Sequence, residues 1–291
     1  MDNSGSVFTS PDGVRWTQRS TPVTYQLFGI TWGAGQFVAV GFNTILTSPD
    51  GKTWTQQSDP ATSISLEAVA WDGTQYVTMG LNGTILSSLD GATWTQQTSG
   101  ATANLWSVVW TGTQFVAVGD AGTILTSSNG TNWASQTSGT THNLHSIGWN
   151  GSVLVAGGDN GTLLTSADGI SWAAAASGVG AIVDSILWDG SEFVAVGSGG
   201  TILTSPDGSA WTQQTAAVTQ TLAGVAWSGQ ALVAVGQHGA ILRSPPPPAS
   251  GSGSSSGGSK SGGGGAFGGL ALAALALMAR RARRRPNAAT R

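Results

Sequence analysis

The chain has 291 residues, no cysteine and a formal net charge of −3. Without cysteine it forms no disulfide and does no thiol chemistry. Its charge is segregated. Residues 1–245 hold all 14 acidic residues against four basic ones (Arg15, Arg19, Lys52, Arg243), a net −10, and seven more basic residues follow. An acidic main segment argues against nucleic acid as a partner, because phosphate contacts require Lys and Arg.

Along the chain the first strong signal is Ser10-Pro11-Asp12-Gly13-Val14-Arg15-Trp16. The pattern S-x-[D/N]-G-x-x-W returns at Ser48–Trp54, Ser88–Trp94, Ser127–Trp133, Ser166–Trp172 and Ser205–Trp211. Its third position is Asp12, Asp50, Asp90, Asn129, Asp168 and Asp207, in steps of 38, 40, 39, 39 and 39 residues. A fixed period in this range means a solenoid, a propeller or an array. One unit reads Leu105–Trp110, Gln114–Gly119, Gly122–Ser127 and Trp133–Thr137: four short runs rich in Val, Ile, Thr, Phe and Trp, separated by turn residues. That pattern predicts antiparallel strands joined by tight turns. No apolar spacing of helical period appears before residue 266. The expected fold is all-β: a β-propeller of six to seven four-stranded blades over residues 1–244. A parallel β-helix has shorter coils and no hairpin links.

The repeated element resembles the Asp box of BNR-repeat propellers, a match running over residues 5–244. The resemblance implies structural roles for Asp12, Asp50, Asp90, Asn129, Asp168 and Asp207 in the turn. It implies the same for Trp16, Trp54, Trp94, Trp133, Trp172 and Trp211 at the start of the outer strand. The Gly-Thr-Ile-Leu-Thr-Ser type of strand before most boxes is similar to the photosystem II stability/assembly factor subgroup of propellers. Twelve of the 13 Trp fall at two repeat positions, and Trp106 falls at neither.

The chain starts in mid-unit, with Val7–Ser10 as a third strand and Trp16–Arg19 as a fourth, and the last unit stops at Ser244 without an outer strand. Two expectations follow. Residues 14–19 close the ring beside Ala240–Leu242, or they belong to a seventh blade of a longer parent protein. Met1–Ser6 has no basic start and no apolar run, so an N-terminal export signal is absent from this chain and is expected upstream.

Residues 245–265 are a Pro/Gly/Ser-rich linker. Residues 266–285 combine a predicted apolar helix, 266–279, with Arg280, Arg281, Arg283, Arg284 and Arg285, and 286–291 form a tail. Together with Gly262, Gly263, Gly264 and Gly265, this order is similar to a GlyGly-CTERM sorting tag. That resemblance implies an exported protein, anchored in the membrane at least transiently through its C-terminal helix. A rhomboid-type sorting protease then cuts it for the cell surface or the extracellular space. The Arg run places the tail in the cytoplasm by the positive-inside rule.

Chemistry is sparse. The sialidases among BNR propellers need an arginine triad, a Tyr with a Glu partner, an Asp acid/base and an F/Y-R-I-P motif. Here Arg15 and Arg19 share one outer strand, the motif is missing, and the only Glu and Tyr residues are Glu67, Glu192, Tyr25 and Tyr76. Asp120 and Asp159, in equivalent turns of neighbouring units, are the best carboxylate pair for a glycosidase, and also ordinary turn formers. His142 and His145 make a weak metal signal without a third ligand, so neither metal nor cofactor is expected. Trp106, Asp120, Asp159, His142 and His145 form the candidate ligand face, beside the variable connections 20–26, 58–65, 98–104, 137–143, 176–182 and 215–221. The expected function is a non-catalytic exported or cell-surface propeller, a binding or scaffold module for a protein or glycan partner. The alternatives are an assembly or stability factor for a membrane protein complex and a divergent BNR-class glycosidase.

Overall fold

The computed structural model describes residues 5–58, 60 and 64–244. The linker, apolar helix, Arg cluster and tail expected from residue 245 onward lie outside them. Among the described residues, no helix is long and apolar enough to cross a membrane.

The chain folds as a six-bladed β-propeller. The inner strands of the blades are Leu27–Gly33, Leu66–Trp71, Leu105–Trp110, Leu144–Trp149, Val183–Trp188 and Leu222–Trp227. Each inner strand starts a sheet of consecutive antiparallel strands, so every link is a hairpin. Blade three shows the plan: Leu105–Trp110, Phe115–Gly119, Ile124–Ser127 and Ala134–Gln136. Blades one to five have four strands, and blade six has three, ending at Ile241–Arg243. Among the described residues the helix content consists of five one-turn 3-10 segments, Leu81–Gly83, Asp120–Gly122, Asp159–Gly161, Ser198–Gly200 and Gln237–Gly239, each between a second and a third strand.

The sequence encodes this plan by strand-forming residues that face both sides of each sheet. Such a sheet must be covered on both faces, and neighbouring blades supply the cover. Val38, Val40 and Ile45 of blade one pack on Leu66, Tyr76, Leu86 and Trp94 of blade two. Val77, Met79 and Ile85 of blade two meet Leu105, Phe115 and Leu125 of blade three in the same way. The pattern continues through blades four, five and six. The core is therefore a set of radial seams around a central channel.

Residues Val7–Thr9 and Thr17–Arg19 pair only with each other, in the register Val7↔Arg19, Phe8↔Gln18 and Thr9↔Thr17. This hairpin stands between blades six and one. Val7 is fully buried against Leu27, Ala39, Leu46 and Trp54, the place that Ile45 takes at the next seam. On its other side the Arg243 Nε donates to the Asp12 carbonyl at 3.2 Å. The expectation that residues 14–19 become the fourth strand of the last blade is not met. The box turn folds Thr17–Arg19 back onto Val7–Thr9, which leaves it no reach to Ile241–Arg243. Nor do Val7–Thr9 or Thr17–Arg19 pair with Gln36–Val40, whose partners are the inner and third strands of blade one. The hairpin has the geometry of the outer half of a blade.

Deleting residues 1–20 should uncover the Leu27, Leu46 and Trp54 seam. The truncated protein is expected to elute as aggregates in size-exclusion chromatography. A monodisperse product with unchanged melting would show that the hairpin covers nothing essential.

Candidate functional site

The repeated box lies at one end of each sheet, in the turn between the third and outer strands. In blade two the Asp90 Oδ1 accepts hydrogen bonds from the backbone N–H groups of Ala92 (2.8 Å) and Thr93 (2.7 Å). The Ser88 hydroxyl accepts from Gly91 N–H at 2.8 Å and donates to Asp90 at 3.0 Å. The Thr93 and Ala92 backbone bonds pull the Asp90 carboxyl down to about 2. Asn129 accepts the equivalent bonds from Thr131 (3.0 Å) and Asn132 (2.9 Å) without a charge. The box Trp then locks the turn: Trp94 Nε1 donates to the Gly91 carbonyl at 3.0 Å, and Trp54, Trp133, Trp172 and Trp211 do the same in their blades. Trp16 is the exception, its buried indole nitrogen having no partner. Gln36, Gln75 and Gln114 tie three of these turns to the preceding blade through the carbonyls of Asp90, Asn129 and Asp168. All these contacts build the scaffold.

The variable chemistry sits at the opposite end. In every inner strand the ladder skips one residue: Leu27/Gly29, Leu66/Ala68, Leu105/Ser107, Leu144/Ser146, Val183/Ser185 and Leu222/Gly224 flank the shift. Such a bulge re-aims one side chain and sharpens the local twist. The residues before and after it repeat, a branched aliphatic and then Gly, Ala or Ser. The small residue lets adjacent inner strands approach: Ser146 Oγ accepts the Ile186 N–H at 2.9 Å and Ser107 that of Ile147 at 3.4 Å. The skipped residues are Phe28, Glu67, Trp106, His145, Asp184 and Ala223, no two alike, and all line a central cavity of about 490 Å³.

Two of these side chains are fixed from behind. Asp120 opens the 3-10 turn of blade three. Its Oδ1 accepts from Trp106 Nε1 at 2.5 Å, and its Oδ2 from Asn104 Nδ2 at 2.8 Å. Asp159 repeats the arrangement in blade four, with His145 Nε2 at 2.8 Å and Asn143 Nδ2 at 3.1 Å. The turn can seat there because Gly119 precedes Asp120. A Cβ at Gly119 would collide with the Asn104 carbonyl, which itself accepts the Asp120 N–H at 2.9 Å. Asp120 and Asp159 thus form turns and also position the neighbouring bulge residues.

The structure sets Trp106 and His145 side by side in the cavity wall, their rings 6.5 Å apart, with Asp120 and Asp159 behind them. It separates His142, which is exposed and bonds Thr162 Oγ1 at 2.7 Å. No group of three metal-binding side chains forms among the described residues. Tyr76 is fully buried and its hydroxyl donates to the Gly33 carbonyl. Glu192 sits in the turn at the far end of blade five, where its N–H donates to Asp189. Phe28, Glu67, Asp184 and Ala223 were not singled out from the sequence. Their signal was present: each directly follows the first aliphatic of its unit, as Trp106 does.

No protein family matches the chain, and neither does any curated protein. Solved structures do. A structure titled YCF48 bound to D1 peptide matches with a TM-score of 0.65 and 20% identity, over 79% of this chain and 82% of that one. YCF48 from Cyanidioschyzon merolae matches with a TM-score of 0.66 and 18% identity, over 82% of this chain and 88% of that one. At these identities the likeness establishes the propeller fold.

Two outcomes are expected. Asp90→Ala should cost about 1 kcal/mol through lost turn bonds, or a melting shift of about 2–4 °C. Asp90→Asn should cost less, since Asn129 shows that an amide makes the bonds. A carboxyl with a depressed folded-state value stabilises above its unfolded range and loses that contribution as pH falls through the folded value. The advantage of the native Asp90 over the Asp90→Asn variant should therefore fade between about pH 4 and pH 2 in acid-unfolding curves. Asp120→Ala should release the Trp106 indole N–H, whose exchange measured by NMR should rise by about tenfold or more with global melting little changed.

Proposed function

We propose that this propeller is a protein-binding module of the assembly-factor or stability-factor type, which holds an extended segment of a membrane-protein partner across the channel mouth. The observation that carries the reading is the bulge ring. A scaffold repeated six times with little change presents six different side chains at one structural position, around one cavity. A repeat built only for stability has no use for such divergence at a bulged, channel-facing site. The shared fold with YCF48, one of whose structures is named for a bound D1 peptide, supports this reading, as does the sequence resemblance to the photosystem II assembly subgroup. It is preferred to a glycosidase because the three propeller arginines, Arg15, Arg19 and Arg243, belong to box or outer-strand contacts away from the cavity. Export, and sorting through cleavage near Gly262–Ala266, belong to the same proposal and rest on the C-terminal sequence pattern.

The test is site-specific photo-crosslinking in the native host. A photoreactive residue at position 28 or 223 should give discrete adducts with a membrane protein, and one at exposed Gln56 on an outer strand should give none. Equal labelling from all three positions would remove the case for the mouth.

A further inference from the structure

The mouth is divided into sectors, and the division specifies its ligand. In blades three and four each bulge residue is backed by the Asp that opens the next turn. In blade one the equivalent turn position is Phe42, so the polar pair becomes aromatic: Phe28 on the bulge and Phe42 in the turn. Tyr25 joins them, its ring centroid 6.0 Å from that of Phe42 in an edge-on arrangement. Tyr25 and Phe42 are 43% and 44% exposed, unusual for rings in a protein that buries most of its large apolar groups. Going round the ring from this patch, blade two contributes Glu67, blade three Asp120, blade four Asp159 and blade five Asp184. Lys and Arg are absent from all these bulge and turn positions.

The four Lys and Arg side chains of the described residues lie elsewhere. Arg15 pairs with Asp12 at 3.1 Å, and Lys52 lies in the box turn of blade one. Arg19 Nε donates to Thr9 Oγ1 at 2.9 Å, and Arg243 Nε to the Asp12 carbonyl. Of the four carboxylates Glu67 and Asp184 line the cavity itself, while Asp120 and Asp159 stand behind Trp106 and His145. A concave mouth walled by low-dielectric strands and carrying carboxylates without Lys or Arg focuses its field on the approaching ligand. Trp106 adds a ring held at fixed orientation by Asp120, a surface suited to a guanidinium or ammonium group.

Resting on the protein-binding reading above, we infer that the occupant is a basic, extended peptide segment. Its Lys or Arg side chains lie over the Glu67-to-Asp184 arc, and a neighbouring aliphatic or proline side chain packs on Tyr25 and Phe42. Charge complementarity selects this occupant over an acidic segment or a neutral glycan, and the exposed aromatic pair selects an apolar neighbour beside the charge.

The experiment uses the full chain and a short fluorescently labelled peptide of alternating Arg and Leu, with a Glu/Leu twin as control. Fluorescence anisotropy should show binding of the Arg peptide that weakens as salt rises, and none of the twin. The Glu67→Gln, Asp184→Asn double variant should weaken binding by about tenfold or more. Tyr25→Ala with Phe42→Ala should weaken it independently of salt, and melting curves confirm that each variant is folded. Equal binding of the two peptides, or no effect of either double variant, would overturn the inference. The chain's own Arg280–Arg285 run is the competing occupant. If the Arg peptide binds only after those arginines are replaced by Ser, the mouth serves the tail and the inference falls. Adducts at positions 28 and 223 without binding of the Arg peptide would keep the protein-binding reading and reject only the ligand class.

Discussion

The structure depends on the seam between one blade and the next. A blade of about 39 residues cannot bury both faces of its sheet alone, so its stability comes from neighbours, as in other repeat architectures. The contact is of the same kind at each junction: aliphatics of one second strand against the Leu or Val that opens the following inner strand and the large apolar residue of the next second strand, Tyr76, Phe115, Leu154, Phe193 or Leu232. Each such side chain fully buried contributes roughly 1.5–3 kcal/mol. The seam runs from the first residue of each inner strand through the second and third strands to the box Trp, and leaves two kinds of position outside it: the box turn itself and the bulge residue. The box occupies one end and the bulge the other.

The two ends diverge for a physical reason. At the box end, three groups close a local circuit: the Ser hydroxyl, the Asp or Asn side-chain oxygen, and the Trp indole to the Gly carbonyl. Every member has a backbone partner, so substitution leaves a bond unmade, and the copies stay alike. At the bulge end the skipped residue is outside the ladder and its side chain enters the channel. Nothing in the strand pairing dictates what it is. The same geometry that repeats the scaffold therefore leaves one position per blade open to differ.

This contrast explains what was legible in the sequence. Period, strand count, hairpin links and the structural role of the box could be read directly, because each depends on residue types that recur at fixed spacing. Trp106 stood out as a departure from the repeat, Asp120 and Asp159 as carboxylates in equivalent turns, and His145 only as one of a His pair. Phe28, Glu67 and Asp184 each follow the first aliphatic of their unit, but that position takes on meaning only once the register shift is seen, as at Leu66/Ala68. The partnership of Asp120 with Trp106 was hidden for the same reason. The two are 14 residues apart, and an unbulged strand would turn the Trp106 side chain to the other face.

Closure was harder to foresee because it uses a substitute contact. In blades one to three a glutamine at the start of the second strand reaches the next box carbonyl. Blade six has Ala231 in that place, which cannot. Arg243 supplies the donor from the third strand instead, opposite Val233 in the ladder, and reaches the Asp12 carbonyl. The long side chain bridges to the N-terminal hairpin that follows blade six around the ring. Blades four and five carry Val153 and Glu192 at the Gln position, so the side-chain bridge to the next box carbonyl is found at the first three seams and, through the only arginine on a described third strand, at the hairpin.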